Sequence, residues 1–255
     1  MEVALSYGYD KAIHVDELAA VYPNAVPMDI PMYCSLANAN SLKTDRLNAF
    51  RTDLETRFKK SIEELKEELY FSAIFIMQGV VYSDLTIQLF SDILASKNGH
   101  ILGDRRKQGD PQVVDLYSTN PDLVWPYQWP VPRYGPLTFI IALQSIFKAY
   151  YGFDIEYIQY GKPNEPTYSF CERSLQRLAA AQGIEISRFY MIGDNPASDI
   201  DGANRRGDSW VSILVRTGVF QGGDNSDKHP AKYVVEDMQS AVKLIFELEN
   251  LDFKI

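Results

Sequence analysis

Cysteine is scarce in this sequence, which holds only Cys34 and Cys171 among its 255 residues. Two cysteines cannot build a disulfide framework or a cysteine-based zinc site, and their scarcity fits a reducing compartment. Cys171 recurs at three- and four-residue steps with Tyr168, Leu175 and Leu178. This spacing predicts that Cys171 packs in a buried helix face and is not a reactive thiol.

Long hydrophobic runs are also missing, because no apolar stretch approaches the roughly 20 residues that cross a bilayer. The N-terminus shows neither the hydrophobic region of a signal peptide nor the arginine-rich pattern of a transit peptide. We therefore expect an intracellular protein, cytoplasmic or mitochondrial, that has no membrane partner.

Positive charge and histidine are both limited. The formal net charge is -9, and the only basic cluster is 105–107, so no electrostatic surface for nucleic acid is indicated. The three histidines, His14, His100 and His229, lack the G-x-S-x-G context of a nucleophilic triad. We expect them to be exposed or to cap helices.

Regular alternation of strands and helices is what the sequence does contain. One amphipathic helix is predicted over 44–69, and the tryptophan- and proline-rich segment 125–136 is predicted to be a loop. Strands are predicted at 70–79, 113–117, 156–161, 188–193 and 210–218, mostly with helices between them. This order predicts an α/β fold in which a parallel sheet carries helices on both faces. Ligands of such sheets bind beyond the carboxyl ends of the strands.

An acidic loop follows one predicted strand, in "FYMIGDNPASDIDGANRRG" (189–207). Asp194 stands at the carboxyl end of the strand, Asn195 suits a helix N-cap, and Pro196 suits the first helical position. Asp199 lies in the next turn and could join Asp194 in supplying oxygen ligands to Mg²⁺. An equal alternative is that these residues only cap the helix and favour its dipole.

A lysine follows another predicted strand, in "YGKP" (160–163). Lys162 could hold a fixed positive charge against a phosphoryl group or keep neighbouring carboxylates ionised. Taken alone, an ordinary surface lysine is the better interpretation. One cationic and one acidic loop at strand ends are together a stronger indication of a site than either loop by itself.

Four motifs, "STNPD", "GKP", "GDNPASDI" and "LVRTGVF", occur in this order from residue 118 onward. In this order they resemble the haloacid dehalogenase-like (HAD) hydrolase superfamily. More narrowly, they resemble its class IIA branch with a C2-type cap, the NagD-like and p-nitrophenyl phosphatase-like proteins. The eukaryotic cat-eye-syndrome critical region HAD-like proteins look most similar. The resemblance extends from about Phe71 to the C-terminus and is weaker before it.

The resemblance implies an α/β architecture: a Rossmann-like HAD core with a parallel sheet, incomplete at the N-terminus, and an α/β C2-type cap. It divides the chain into a core remnant with the long helix (1–69), the cap (70–155) and the C-terminal part of the core (156–255). The reaction implied is Mg²⁺-dependent hydrolysis of a small phosphate monoester. Relatives with such caps often associate through them, so a homo-oligomer is expected.

Site residues follow from the same resemblance. Lys162 would be the catalytic lysine that orients the phosphoryl group and the nucleophile, Asp194 a magnesium ligand, and Asp199 a support for the metal site. Asn195 would also face the substrate.

The segment with Asn120 and Asp122 would lie at the substrate as well. For these two residues, an Asn-Pro-Asp turn without substrate contact is at least as good an interpretation.

The nucleophile of the family is the feature that this sequence lacks. The family reaction uses an aspartate of a D-x-D motif at the end of an N-terminal strand and forms a phosphoaspartate. The only D-x-D here is Asp199-Ile200-Asp201, within the helix after the acidic loop. Residues 1–17 instead resemble the segment after the second family motif, so we expect the first two motifs to be missing.

Two functions of different classes remain open from the sequence. The first is a HAD phosphohydrolase that is inactive as this chain alone. The second is a non-catalytic HAD-like binding or interaction module. An upstream reading frame with an apolar strand and D-x-D-G would favour the first function.

Overall fold

The computed structural model describes residues 2–25, 39–77, 79–80 and 83–252. The chain forms two compact units, one of residues 1–118 and 122–158 and one of residues 119–121 and 159–255. Cys34 lies outside the described residues. None of the described helices is long and apolar enough to cross a membrane.

The first unit combines helices with a small parallel sheet. Its helices are α1 (Glu2–Ser6), α2 (Val15–Val21), α3 (Ala39–Phe58), α4 (Ile62–Glu68), α5 (Ser83–Leu94) and α6 (Leu137–Tyr151). Its strands are β1 (Ala73–Ile76), β2 (Asp115–Ser118), β3 (Val124–Tyr127), β4 (Trp129–Tyr134) and the start of β5 (Ile158–Gln159). The strand order β1-β2-β5 has β1 and β2 parallel, with Ala73 opposite Asp115. Fully buried side chains of α5, β2 and α6, such as Leu89, Leu116 and Phe147, fill the core.

The prediction of one continuous helix over 44–69 is wrong, because the helical structure is interrupted between α3 and α4. Lys59 adopts a left-handed φ of 55°. Ser61 then caps α4, since its hydroxyl oxygen accepts the Glu64 N–H while the Glu64 carboxylate accepts the Ser61 N–H at 2.8 Å. This capping box starts a new helix inside a continuous amphipathic pattern.

The prediction of a loop over 125–136 is also wrong, because most of this segment forms the antiparallel hairpin β3-β4. Trp125 lies opposite Arg133, and Tyr127 lies opposite Trp129. Prolines suggest a loop, but a two-stranded ribbon has outer edges where a missing N–H breaks no ladder hydrogen bond. The large side chains of the hairpin, including Trp125 and Trp129, are exposed.

The second unit is a parallel sheet with helices on both faces. Its strands are β6 (Phe189–Gly193), β7 (Trp210–Val215) and β8 (Tyr233–Val235), in the order β6-β7-β8. Its helices are α7 (Glu165–Ala180), α8 (Asp201–Asn204) and α9 (Met238–Leu248), and a π-helical turn at Pro196–Ile200 precedes α8. The predicted α/β class with parallel sheets is confirmed.

The two faces of this sheet have separate cores. On one face Tyr168 of α7 packs with Phe189 and Trp210, and the Trp210 ring stacks on Phe189 with centroids 5.1 Å apart. On the other face, Ala241 of α9 packs with Val211, Ile213 and Val215. Because side chains alternate along β7, one strand supplies both cores.

Two predictions about single residues are wrong. Cys171 is exposed, as are Leu175 and Leu178, so Tyr168 is the one member of that helix stripe that is buried. His100 is buried, and its Nε2 lies 2.7 Å from the Lys66 carbonyl oxygen. His14, in contrast, caps α2 as expected.

Candidate active site

The candidate site lies in the second unit, at the carboxyl end of its parallel sheet. Gly193 ends β6, and Asp194 follows at once. Since β6 and β7 are parallel, with Gly193 opposite Leu214, the segment after β7 emerges at the same edge. We call residues 161–164 the lysine turn and residues 194–200 the acidic turn.

The lysine turn is closed by hydrogen bonds to Gly161. Its carbonyl oxygen accepts the Asn164 N–H at 2.9 Å and the Asn164 side-chain amide at 3.0 Å. Its own N–H donates to Thr167 Oγ1 at 3.0 Å. Gly161 has a φ of 91°, and a Cβ there would lie 2.4 Å from Pro121 Cδ. Glycine is therefore required both by the backbone and by the space.

Lys162 and Asp199 form the central contact of the site. Lys162 Nζ lies 2.5 Å from Asp199 Oδ1, with 47% of the lysine side chain exposed but only 3% of the aspartate. The other carboxylate oxygen accepts the Asn195 N–H at 3.1 Å. A buried carboxylate thus holds the ammonium group of a half-exposed lysine. Removing the lysine would leave an uncompensated buried charge, which is strongly destabilising.

Asp194 is held by the segment that follows β7. Its Oδ2 accepts the Val219 N–H at 2.7 Å, and its carbonyl oxygen accepts the Phe220 N–H at 3.0 Å. A Cβ at Gly218 would lie 1.9 Å from Asp194 Oδ2. The glycine of "LVRTGVF" therefore makes room for this carboxylate, a contact that the motif contains but that sequence reasoning missed.

Asn195 and Tyr168 hold the acidic turn from two sides. Asn195 Oδ1 accepts the Ala197 N–H at 3.0 Å, so its predicted capping role is confirmed. The Tyr168 hydroxyl donates to the carbonyl oxygens of Ser198 and Asp199, at 3.2 and 3.0 Å. Burial, followed by the negative charge of Asp199, raises the pKa of Tyr168, so its phenol stays a donor. The sequence placed Tyr168 in an apolar stripe, and its polar role was missed.

The D-x-D of this chain has both carboxylates engaged. Asp199 bonds to Lys162, while Asp201 forms an ion pair with Arg205 and lies 3.2 Å from His229 Nδ1. Asp201 opens α8 and does not follow a strand. This arrangement agrees with the interpretation of 199–201 as part of a helix.

The predicted substrate segment is divided between the units. Thr119 and Pro121, the neighbours of Asn120, pack against Gly161 in the second unit, which brings Asn120 to the lysine turn. Asp122 belongs to the first unit, where its carbonyl oxygen accepts the Leu137 N–H at 3.1 Å.

Carboxylates of this site could contribute to a magnesium site. Within the described part of the chain, no group of three or more His, Cys, Asp or Glu residues could hold a metal ion. One Asp199 oxygen accepts a hydrogen bond from Lys162 and the other accepts one from the Asn195 N–H. In Asp194, the hydrogen bond from the Val219 N–H engages only Oδ2. Mg²⁺ binds through one or two protein carboxylates and keeps several waters. Asp194 is therefore the better fit to such an ion.

Comparisons with known proteins give the site a family. Residues 159–241 match the model of the HAD-hydrolase-like family. A cardiolipin synthase (CMP-forming) / mitochondrial hydrolase fusion protein of Schizosaccharomyces pombe is 41% identical over 173 residues, 67% of this chain and 28% of that protein. A mitochondrial hydrolase of Saccharomyces cerevisiae is 24% identical over 96% of this chain and 69% of its own length. The chain thus spans under a third of the first relative.

Solved structures of phosphatases are also similar to the chain. A p-nitrophenyl phosphatase from Archaeoglobus fulgidus is 22% identical, covers 51% of this chain and 46% of its own, and has a TM-score of 0.36. A 4-nitrophenylphosphatase from Thermotoga maritima is 20% identical, covers 66% and 54%, and has a TM-score of 0.40. The family assignment depends on the sequence match, which includes Lys162, Asp194 and Asp199. Residues 159–241 therefore belong to the HAD-hydrolase-like family.

Proposed function

We propose that this chain carries the phosphate-binding and metal-holding half of a HAD-type phosphohydrolase acting on a small phosphorylated substrate. The observation that supports this most directly is the contact between Lys162 and the buried Asp199 carboxylate, 2.5 Å apart. A half-exposed lysine whose ammonium group is held by a buried carboxylate suits an incoming phosphoryl oxygen, because charge-assisted hydrogen bonds to such oxygens are strong.

Each site residue has a role in this proposal. Lys162 binds and orients the phosphoryl group, and Asp199 fixes the lysine and so supports the metal site. Asp194 would hold Mg²⁺, which supplies positive charge for the phosphoryl oxygens when bound. Asn195, Asn120 and Asp122 are proposed to contact the substrate. The residues around the bound substrate would determine which phosphate ester is accepted.

The reaction itself is proposed to need a nucleophilic aspartate that the D-x-D of residues 199–201 does not offer. A phosphoaspartate forms only if an unpaired carboxylate faces the phosphorus atom. The carboxylates of Asp199 and Asp201 are committed to Lys162, Arg205 and His229. We therefore propose that this polypeptide alone has no significant phosphatase activity.

A non-catalytic HAD-like binding or interaction module is the second candidate. The same engaged carboxylates favour it, because in the described part of the chain they leave a site that can bind an anion but whose D-x-D offers no free nucleophile. An upstream reading frame that encodes an apolar strand and D-x-D-G would exclude this candidate.

Location and assembly are also part of the proposal. Of the two compartments that the sequence allows, we favour the mitochondrion, because the relatives from both yeasts are described as mitochondrial hydrolases. Association of copies through the predicted cap is proposed as well.

Titration of the ¹⁵N-labelled chain with inorganic phosphate tests the proposal. Phosphate should shift the amide signals of the lysine turn and the acidic turn, with a dissociation constant in the millimolar range. Lys162→Ala should weaken this binding at least about tenfold, because it removes a charge-assisted hydrogen bond. Mg²⁺ should strengthen the binding, and Asp194→Asn should remove that gain.

Lys228→Ala is the matched control, since Lys228 is an exposed lysine of the same unit. It should leave phosphate binding unchanged. Equal binding by Lys162→Ala and the wild-type chain would refute the proposed site.

A further inference from the structure

Thr167 and Tyr168 are consecutive residues in the first turn of α7, and their side chains bond to different loops of the candidate site. Thr167 Oγ1 accepts the Gly161 N–H of the lysine turn at 3.0 Å. The Tyr168 hydroxyl donates to the Asp199 carbonyl oxygen of the acidic turn at 3.0 Å. One helical turn is therefore bonded to both loops that carry the central ion pair.

The Tyr168 ring is held too tightly for its hydroxyl to move freely. The side chain is 3% exposed. Its ring lies edge-on to Trp210, with centroids 5.1 Å apart. A Cβ at Gly202 would lie 2.3 Å from the ring, so Gly202 lets the ring approach α8. The hydroxyl is thus a fixed point against which the acidic turn is placed.

Lys162, in contrast, has a long side chain that would otherwise sample many conformers. Such a side chain loses rotamer entropy when it is fixed, so the position of its carboxylate partner decides where the ammonium group stays. Asp199 is that partner, and Tyr168 bonds to the backbone of Asp199 itself. Thr167 fixes the residue before Lys162 in the same way.

We propose that Thr167 and Tyr168 are positioning residues that set the separation between the Lys162 ammonium group and the Asp199 carboxylate. Through that separation they determine how tightly the site binds a phosphoryl group, and this second step rests on the proposed function. They act through the two turns that they hold.

Amide hydrogen exchange of the full chain, measured by NMR, tests the positioning directly. Thr167→Val removes the acceptor for the Gly161 N–H, and exchange at Gly161 should accelerate about tenfold, as for the loss of one hydrogen bond. Thr167→Ser retains a hydroxyl and should restore slow exchange. Tyr168→Phe should accelerate exchange at Asn195 by a similar factor, because the Asn195 N–H bonds to the Asp199 carboxylate.

Two control variants remove hydroxyl groups that do not contact either turn. Ser169→Ala changes the next residue of α7, whose hydroxyl bonds to Glu165. Tyr190→Phe removes a hydroxyl that bonds to Glu249. Both should leave exchange at Gly161 and Asn195 unchanged. Exchange at Ile213, a fully buried residue of β7, should stay slow in every variant.

Phosphate titration of the same variants completes the test. Thr167→Val and Tyr168→Phe should weaken phosphate binding about tenfold, and Thr167→Ser should rescue it. Unchanged exchange at both Gly161 and Asn195 would overturn the positioning role, as would a uniform acceleration that includes Ile213. Faster exchange with unchanged phosphate affinity would overturn the link to affinity. If the wild-type chain binds no phosphate, the proposed function fails, and the exchange rates alone decide the positioning role.

Discussion

At the scale of single residues, Glu172 joins α7 to the sheet through three hydrogen bonds. Its carboxylate accepts from Arg206 at 2.6 and 3.2 Å and from Trp210 Nε1 at 2.6 Å. The hydrogen bond from Arg206 is the main reason that the pKa of Glu172 is lowered, with that from Trp210 adding to it. The folded state therefore favours the ionised carboxylate.

Glu172→Gln should consequently destabilise the protein in a pH-dependent way. Because the folded pKa is lowered, the stabilisation is present above the unfolded value of about 4.3 and is lost as pH falls through the folded pKa. We expect a loss of about 1–2 kcal/mol in unfolding free energy at neutral pH, which shrinks towards zero in acid. Urea unfolding over a pH series measures this difference.

The exposed Glu185 provides the control for that substitution. Glu185→Gln should change the unfolding free energy by less than about 0.5 kcal/mol at every pH. A Glu172→Gln deficit that stayed constant into acid would assign the effect to packing and contradict the charge-based account.

The sequence predicted those positions whose local structure depends on near neighbours. Asp194 and Asn195 follow from a strand, a glycine and a capping pattern within a few positions. The contact of Lys162 with Asp199 spans 37 residues, and that of Tyr168 with Asp199 spans 31. Local pattern cannot give such pairs, because the fold brings them together.

At the scale of elements, prediction succeeded where one pattern continued without a competing local signal. The strand predicted at 188–193, for example, is β6 (Phe189–Gly193). Prediction failed where a capping box interrupted the pattern, as at Ser61, and where prolines suggested a loop in place of a strand, as in β4. Local signals of capping and pairing therefore decided boundaries that periodicity alone missed.

The open side of the second unit leads to a prediction about its surface. In the described part of the sheet, β6 pairs with β7 and with no other strand, so one edge is unpaired. Phe170, Cys171, Leu175 and Leu178 of α7 are exposed. Apolar surface of this kind binds hydrophobic dyes and promotes association.

We expect the folded chain to enhance the fluorescence of a hydrophobic dye such as anilinonaphthalene sulfonate. Leu175→Gln with Leu178→Gln should reduce that signal by about half or more without loss of stability, since exposed apolar groups contribute little to the fold. Leu102→Gln, which changes an exposed leucine of the first unit, is the control and should reduce the signal less. A native chain that binds no dye would contradict this prediction.

At the scale of the whole molecule, composition limits the partners that we expect but identifies no function. The net charge of -9 gives no reason to expect a nucleic-acid partner, and two cysteines are too few for a disulfide framework or a cysteine-based zinc site. The HAD-hydrolase-like match covers residues 159–241, which lie in the unit that contains Lys162 and Asp194. The role of the first unit, with its exposed aromatic hairpin, could not be predicted, because such surfaces carry no readable specificity.

Hydrolysis of p-nitrophenyl phosphate by the purified chain in the presence of Mg²⁺ tests the central claim most directly. Enzymes commonly turn over at about 1–10³ s⁻¹, and in triad enzymes the loss of one member leaves only about 10³ to 10⁴-fold acceleration over water. We predict turnover far below about 1 s⁻¹, and no difference between the wild-type chain and Asp194→Ala. Turnover that Asp194→Ala abolishes would contradict the account.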